Sequence, residues 1–184
     1  MPIINPTAAG ARSRGRAKRR LLLLSVAATA AVGAGALTAG PASAAQTCRS
    51  GTQSGFDSVL CLSIDGRTDG RYNVHVGIDV HMPLARAQEY VDDPFDPFTV
   101  WIRGDDSGTL KEVLVNVPLT VPSLVATSES GLSADFDKVV TGSQLDEDHG
   151  DTDEIKARVV LTDTDTNHQD GEFVSNRIVG NWPF

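Results

Sequence analysis

This chain has no nucleophile signature. It contains no Gly-x-Ser-x-Gly, no His-Glu-x-x-His and no glycine-rich phosphate loop. Any reaction it performs must therefore come from residues brought together by folding alone. Cysteine is scarce too: Cys48 and Cys61 are the only pair, and no Cys-x-x-Cys occurs, which argues against thiol redox chemistry. No segment recurs at a spacing of about 20–50 residues, which excludes solenoids and propellers. The last absence is local. Residues 1–44 hold no acidic residue.

What those residues do hold is six basic side chains, Arg12, Arg14, Arg16, Lys18, Arg19 and Arg20. An apolar run follows, from Leu21 to Gly40, and then Pro41-Ala42-Ser43-Ala44-Ala45. A charged start, an apolar centre and a small-residue end predict a secretory signal peptide over residues 1–44, cleaved after Ala44. The run is also long enough to span a bilayer. Its second half, rich in Ala, Gly and Thr, makes it a weak anchor. Ala45-Gln46-Thr47 before Cys48 is no lipoprotein lead-in. Asn181-Trp182-Pro183-Phe184 is no apolar tail, so no stable membrane anchor is expected. Arg19-Arg20 before the leucines resembles a twin-arginine signal. A disulfide forming after export suits the general secretory route better. The expected location is secreted and extracellular.

Removing the leader changes the charge. Six of sixteen basic residues go and all 24 acidic ones stay, so residues 45–184 carry a formal charge of −14. Such a surface repels phosphate backbones, so nucleic acid is not an expected partner. Basic partners, cations and neutral glycans remain. In an oxidising compartment Cys48 and Cys61 are expected to form a disulfide, worth about 3 kcal/mol in the chain-entropy account. It would tie a loose N-terminus to the first strand.

The mature part is short enough for a single domain, 45–184, expected to be monomeric. Tyr72, Val74, Val76, Ile78, Val80 and Met82 alternate with polar residues or glycine, the period-two mark of a half-buried strand. Leu60, Leu62 and Ile64 predict an earlier strand, with turns at Asp65-Gly66 and Asp69-Gly70. Pro83 to Val91 predicts a short helix with Leu84, Ala87 and Val91 on its buried face. Further strands follow from Phe98, Val100 and Ile102, then Val113, Val115 and Val117, then Leu132, Ala134 and Phe136. The stretch from Leu119 to Ala126 contains Pro122 and predicts an edge strand or loop. Ile155, Ala157, Val159 and Leu161, with a return from Phe173 to Gly180, predict a C-terminal hairpin. The fold expectation is all-β: an antiparallel β-sandwich of seven or eight strands with one short helix, a barrel being the alternative.

Three constellations are candidates for chemistry. Six carboxylates crowd residues 146–154. Asp146, Asp148, Asp151 and Asp153 are the expected ligands if calcium binds; the alternative is a solvated acidic turn. A second polar loop, Asp163 to Gly171, begins like an EF-hand but has His168 where glycine is required and Val174 where glutamate is required. On the wet face of the long strand, Asp79 and His81 stand ~7 Å apart, a spacing for acid–base work if a third partner joins. His75 is too distant to join without a neighbouring strand. Finally, Trp101 has outward parity and Phe95 lies in a proline-stiffened loop; both are candidate contacts for a partner.

No set converges on a reaction. The expectation is a non-catalytic extracellular binding or accessory module, stabilised by calcium if the acidic loop is a site. Its partner would be a protein, a glycan or a cell-wall polymer. The alternative is a small secreted hydrolase using Asp79 and His81.

Overall fold

The alternating segments become strands. The computed structural model describes residues 44–105, 113–120, 123–146 and 152–182; residues 1–43 of the leader, Asp148 and Asp151 lie outside them. In chain order the elements are β1 (Ala45–Gln53), β2 (Phe56–Gly66), β3 (Tyr72–Val80), α1 (Leu84–Asp92), β4 (Phe98–Gly104), β5 (Val113–Asn116), β6 (Val125–Thr127), β7 (Gly131–Val140), β8 (Asp153–Asp163), β9 (His168–Val174) and β10 (Ile178–Gly180). They form two antiparallel sheets. The first runs β1-β2-β3-β7-β6 and the second β10-β8-β4-β5, with β9 also paired to β8. None of the described helices is long and apolar enough to cross a membrane.

The inward faces of both sheets share one core. Leu60, Leu62, Ile64, Val74 and Val76 come from the first sheet; Ile102, Ile155, Val159, Leu161 and Phe173 from the second. Burying each stabilises by about 1.5–3 kcal/mol, and truncating one to alanine costs about 2–5 kcal/mol. Phe136 of β7 meets Phe98 of β4 edge-on at 6.0 Å, joining the sheets directly.

The ten described strands exceed the seven or eight expected, and the reasons are local. β1 is a full strand, not a loose N-terminus. It lies at a sheet edge with most residues exposed, so nothing selects an apolar alternation that sequence could display. The C-terminal return is two strands, β9 and β10, both paired to β8. Ser175 bridges their gap: its hydroxyl accepts from Ala157 N–H at 2.9 Å and its own N–H donates to the Ala157 carbonyl at 3.0 Å. The expected polar loop 163–171 is shorter than predicted, because His168 to Gly171 already pair in β9.

The helix begins after Pro83 and ends at Asp93, but its buried face is Ala87 and Tyr90, not Leu84, Ala87 and Val91. Leu84 is exposed and Val91 half-buried. The helix packs on β6 and β7. Ala87 is small enough for that approach, and Tyr90 buries its ring while its hydroxyl reaches the Asp170 carboxylate. Val113 also departs from expectation, being exposed at the start of edge strand β5.

The two junctions between the sheets are built differently. At the first, β1 lies beside β9. The β1–β2 turn is Ser54-Gly55, both with positive φ (51° and 84°), the signature of a two-residue primed hairpin turn. That turn aims Ser54 at β9, where its hydroxyl accepts from Glu172 N–H and donates to the Glu172 carbonyl, both at 2.9 Å. Gln53 Oε1 accepts from Val174 N–H at 3.0 Å, Arg49 donates to the Val174 carbonyl, and Asn176 donates to the Cys48 carbonyl. Side chains thus satisfy an edge that would otherwise stand open. At the other junction the chain itself crosses: after β5, Val117 N–H donates to Val100 and Thr120 N–H to Asp135. Leu119 bridges to Phe136.

Candidate functional site

A cavity of about 380 Å³ lies where the chain crosses between the sheets. Phe98, Val100, Val117, Pro118 and Leu119 supply its apolar wall, and Asp96, Thr99, Asn116 and Lys138 its polar groups. The size and the mixture suit a small ligand. Asp96 is held in place because its Oδ1 accepts from Phe98 N–H at 2.9 Å, a side-chain turn that aspartate before proline readily forms. Desolvation at the wall raises its carboxyl above the ordinary aspartate value, and the Phe98 N–H partly opposes this. Lys138 sits opposite Val74 of β3, on the core-facing parity of β7. Its ammonium donates to the Asn116 carbonyl at 2.8 Å.

Neither residue singled out as a contact lines this cavity, but each adjoins a residue that does. Phe95 immediately precedes Asp96 and is 68 % exposed, the largest apolar exposure among the described residues. Trp101 pairs directly with Asn116 across β4–β5 and shares an outward parity with Thr99. Its indole is half-buried, because the Arg158 guanidinium lies 5.3 Å from the ring centroid. That guanidinium is fixed in turn by Glu172, at 2.8 and 2.7 Å. The arginine holds the glutamate carboxyl below its ordinary value.

Sequence reasoning missed Asp96 and Lys138 as site residues. A signal existed for Lys138: it interrupts the inward series Leu132, Ala134, Phe136, Val140 with a charge. Nothing in the sequence reports that Asp96 and Lys138 share a wall, because β4 and β7 belong to different sheets.

The expected acid–base pair does not assemble as a pair. Asp79 accepts from Ser133 of β7 at 2.5 Å, and His81 is exposed beyond the end of β3. It is His75 that gains carboxylate partners, since β7 supplies the neighbouring strand. Its Nδ1 lies 2.9 Å from Asp137 and its Nε2 3.6 Å from Asp135. Thr120 donates to the second Asp137 oxygen at 2.8 Å. The group is an orienting network: Ser133 of β7 is engaged with Asp79, Thr120 with Asp137, and Ser63 of β2 stands directly opposite His75.

Two of the expected calcium ligands are among the described residues. Asp146 follows the short 3₁₀ turn Gly142–Gln144, while Asp153 is buried within β8. Among the described residues no three His, Cys, Asp or Glu side chains are grouped to hold a metal ion. One neighbouring group is incomplete: Asp105, 2 % exposed, pairs with Lys156 at 2.7 Å through Oδ2, while its buried Oδ1 has no hydrogen-bond partner among the described residues. A second cavity, about 370 Å³, lies between α1 and the β8–β9 turn and is lined by Arg86, Glu89, Tyr90 and Asp163 among others. Asp170 nearby is desolvated, but hydrogen bonds from Tyr90 and His168 and the charge of Arg86 outweigh this and lower its carboxyl.

Cys48 and Cys61 form the expected disulfide, directly opposite each other across β1–β2. Comparison with protein-family models, with curated proteins and with solved structures yields no match to this chain.

Proposed function

We propose that the chain is a secreted, non-catalytic binding module. It is a β-sandwich released after cleavage of residues 1–44, and it holds an extracellular partner at the cavity beside Phe95 and Trp101. One observation carries the reading: the most exposed of the large apolar side chains described, Phe95, immediately precedes Asp96, which lines a cavity with an apolar wall and a few polar groups. Exposed aromatics beside such a cavity are contact residues in general. The hydrolase alternative has less support, since Asp79 is engaged with Ser133 and His81 stands exposed beyond the end of β3.

An NMR titration of residues 45–184 with a library of neutral sugars, amino acids and short peptides tests the module. The expected result is amide shifts clustered at Thr99, Asn116 and Leu119. Affinity should fall about tenfold or more in Phe95→Ser with Trp101→Ala. Shifts clustered instead at Asp79 and His81 would overturn it and restore the hydrolase.

Calcium stabilisation is a second reading, supported by the orphaned Asp105 oxygen beside the start of β8. Calcium that binds only the folded state raises the melting temperature over that in chelator. An unchanged melting temperature removes calcium from the account.

A further inference from the structure

Two opposite charges face one cavity without meeting. Lys138 and Asp96 both line the space between the sheets, and no ion pair joins them among the described residues. Their separation has a cause on each side. The Lys138 ammonium is tethered to the Asn116 carbonyl at 2.8 Å, and the Asp96 carboxylate to the Phe98 amide at 2.9 Å.

Each tether leaves capacity unused. An ammonium has three donors, and the Asn116 carbonyl takes one. A carboxylate has two oxygens, and the Phe98 amide engages Oδ1. The rest of the wall is hydrocarbon from Val100, Val117, Pro118 and Leu119, beside the polar Thr99 and Asn116. The cavity volume, about 380 Å³, is at the small end of ligand pockets, which run about 300–1,000 Å³.

We infer that this cavity binds a small apolar zwitterion, of amino-acid to dipeptide size, with its carboxylate on Lys138, its ammonium on Asp96 and its hydrocarbon part on the wall between them. The inference rests on the binding-module reading and adds the ligand class. A neutral sugar would leave both charges unanswered. Asp96 is exposed and Lys138 half-buried, so water answers both charges in the free protein; a purely anionic or cationic ligand filling the cavity would pair with one and displace water from the other without replacing it. The zwitterion is selected by having both charges at once.

The test is calorimetric titration of residues 45–184 with three probes: L-alanyl-L-leucine, its N-acetyl form and its C-terminal amide. The free dipeptide should bind at least about tenfold more tightly than either blocked form. In Lys138→Met the advantage of the free dipeptide over the amide should vanish, and in Asp96→Asn its advantage over the acetylated form. Both changes put a neutral side chain of similar size in the wall, and a melting curve for each confirms that the fold persists. Equal binding of the three probes, or discrimination unchanged in both variants, overturns the zwitterion. If none of the three binds while a sugar or peptide of the NMR library still shifts Thr99 and Asn116, the zwitterion falls and the module stands. If nothing in either set reaches these residues, both fall.

Discussion

The two junctions between the sheets solve one problem in opposite ways. Where β1 meets β9, side chains stand in for a missing strand: Ser54, Gln53 and Arg49 satisfy the free backbone groups of Glu172 and Val174. A disulfide one register away holds β1 against β2. Where β5 meets β7, the backbone crosses between the sheets and leaves a cavity with two tethered charges. The first junction is closed by short contacts and the second leaves a cavity of about 380 Å³. The binding function proposed above would use both, since an open site contributes less to stability.

The largest expected effect comes from the closed side. Replacing both Cys48 and Cys61 by serine should cost about 3 kcal/mol in urea unfolding. Amide exchange should then quicken at Glu172 and Val174 well before Thr120, whose N–H bonds Asp135 at the open junction. Equal quickening at both places would show that the junctions are not independent.

Gln53→Ala is a smaller cut at the same edge. It strands the Val174 N–H and should cost about 1 kcal/mol. The value is held down because the Gln53 Nε2 is itself buried without a hydrogen-bond partner. Faster exchange confined to Val174 and its neighbours is the expected signature. A global loss of protection would mean that the edge is part of the core's cooperative unit.

The smallest effects are electrostatic and have opposite signs at the two junctions. Glu172 is held below its ordinary value by Arg158. Its stabilisation is therefore present above about pH 4.3 and disappears as pH falls through the lowered folded value. Asp96 is raised by desolvation. The folded state then holds its proton more tightly than the unfolded chain, so stability declines as pH rises from about 3.9 through the raised value. Glu172→Gln should lower the melting temperature near neutral pH and leave it unchanged in strong acid. Asp96→Asn should raise it near neutral pH with no effect in acid. Both changes are worth a few tenths to about 1 kcal/mol, because solvent reaches both carboxyls. Shifts of the same sign would erase the electrostatic contrast between the junctions.

Legibility in the sequence follows which faces are buried. The strands around Leu62, Val76, Ile102 and Val159 were readable because one face of each is buried and the other wet, so alternation survives. β1 left no such trace, being exposed on most of its length. The helix was found from Pro83 and Asp93, but its buried face was not, because Leu84 looks apolar and Tyr90 polar until their neighbours are known. At the site, Phe95 and Trp101 were read from residue type and parity. Lys138 and Asp96 were not, because their meeting depends on which strands face each other across the core.

One short stretch separates the two kinds of information. Asp93-Pro94-Phe95 and Asp96-Pro97-Phe98 are the same tripeptide twice. Locally they do the same thing: each aspartate Oδ1 accepts from the N–H of its phenylalanine, at 3.1 and 2.9 Å. That much follows from the chain alone, because the partners are two residues apart and proline restrains the backbone between them. Yet Phe98 is 4 % exposed and packed on Phe136, while Phe95 is 68 % exposed. Only the tertiary structure makes that choice. Burial is decided by the sheet that arrives from β7, some forty residues later, and a contact of that range is not written in either tripeptide.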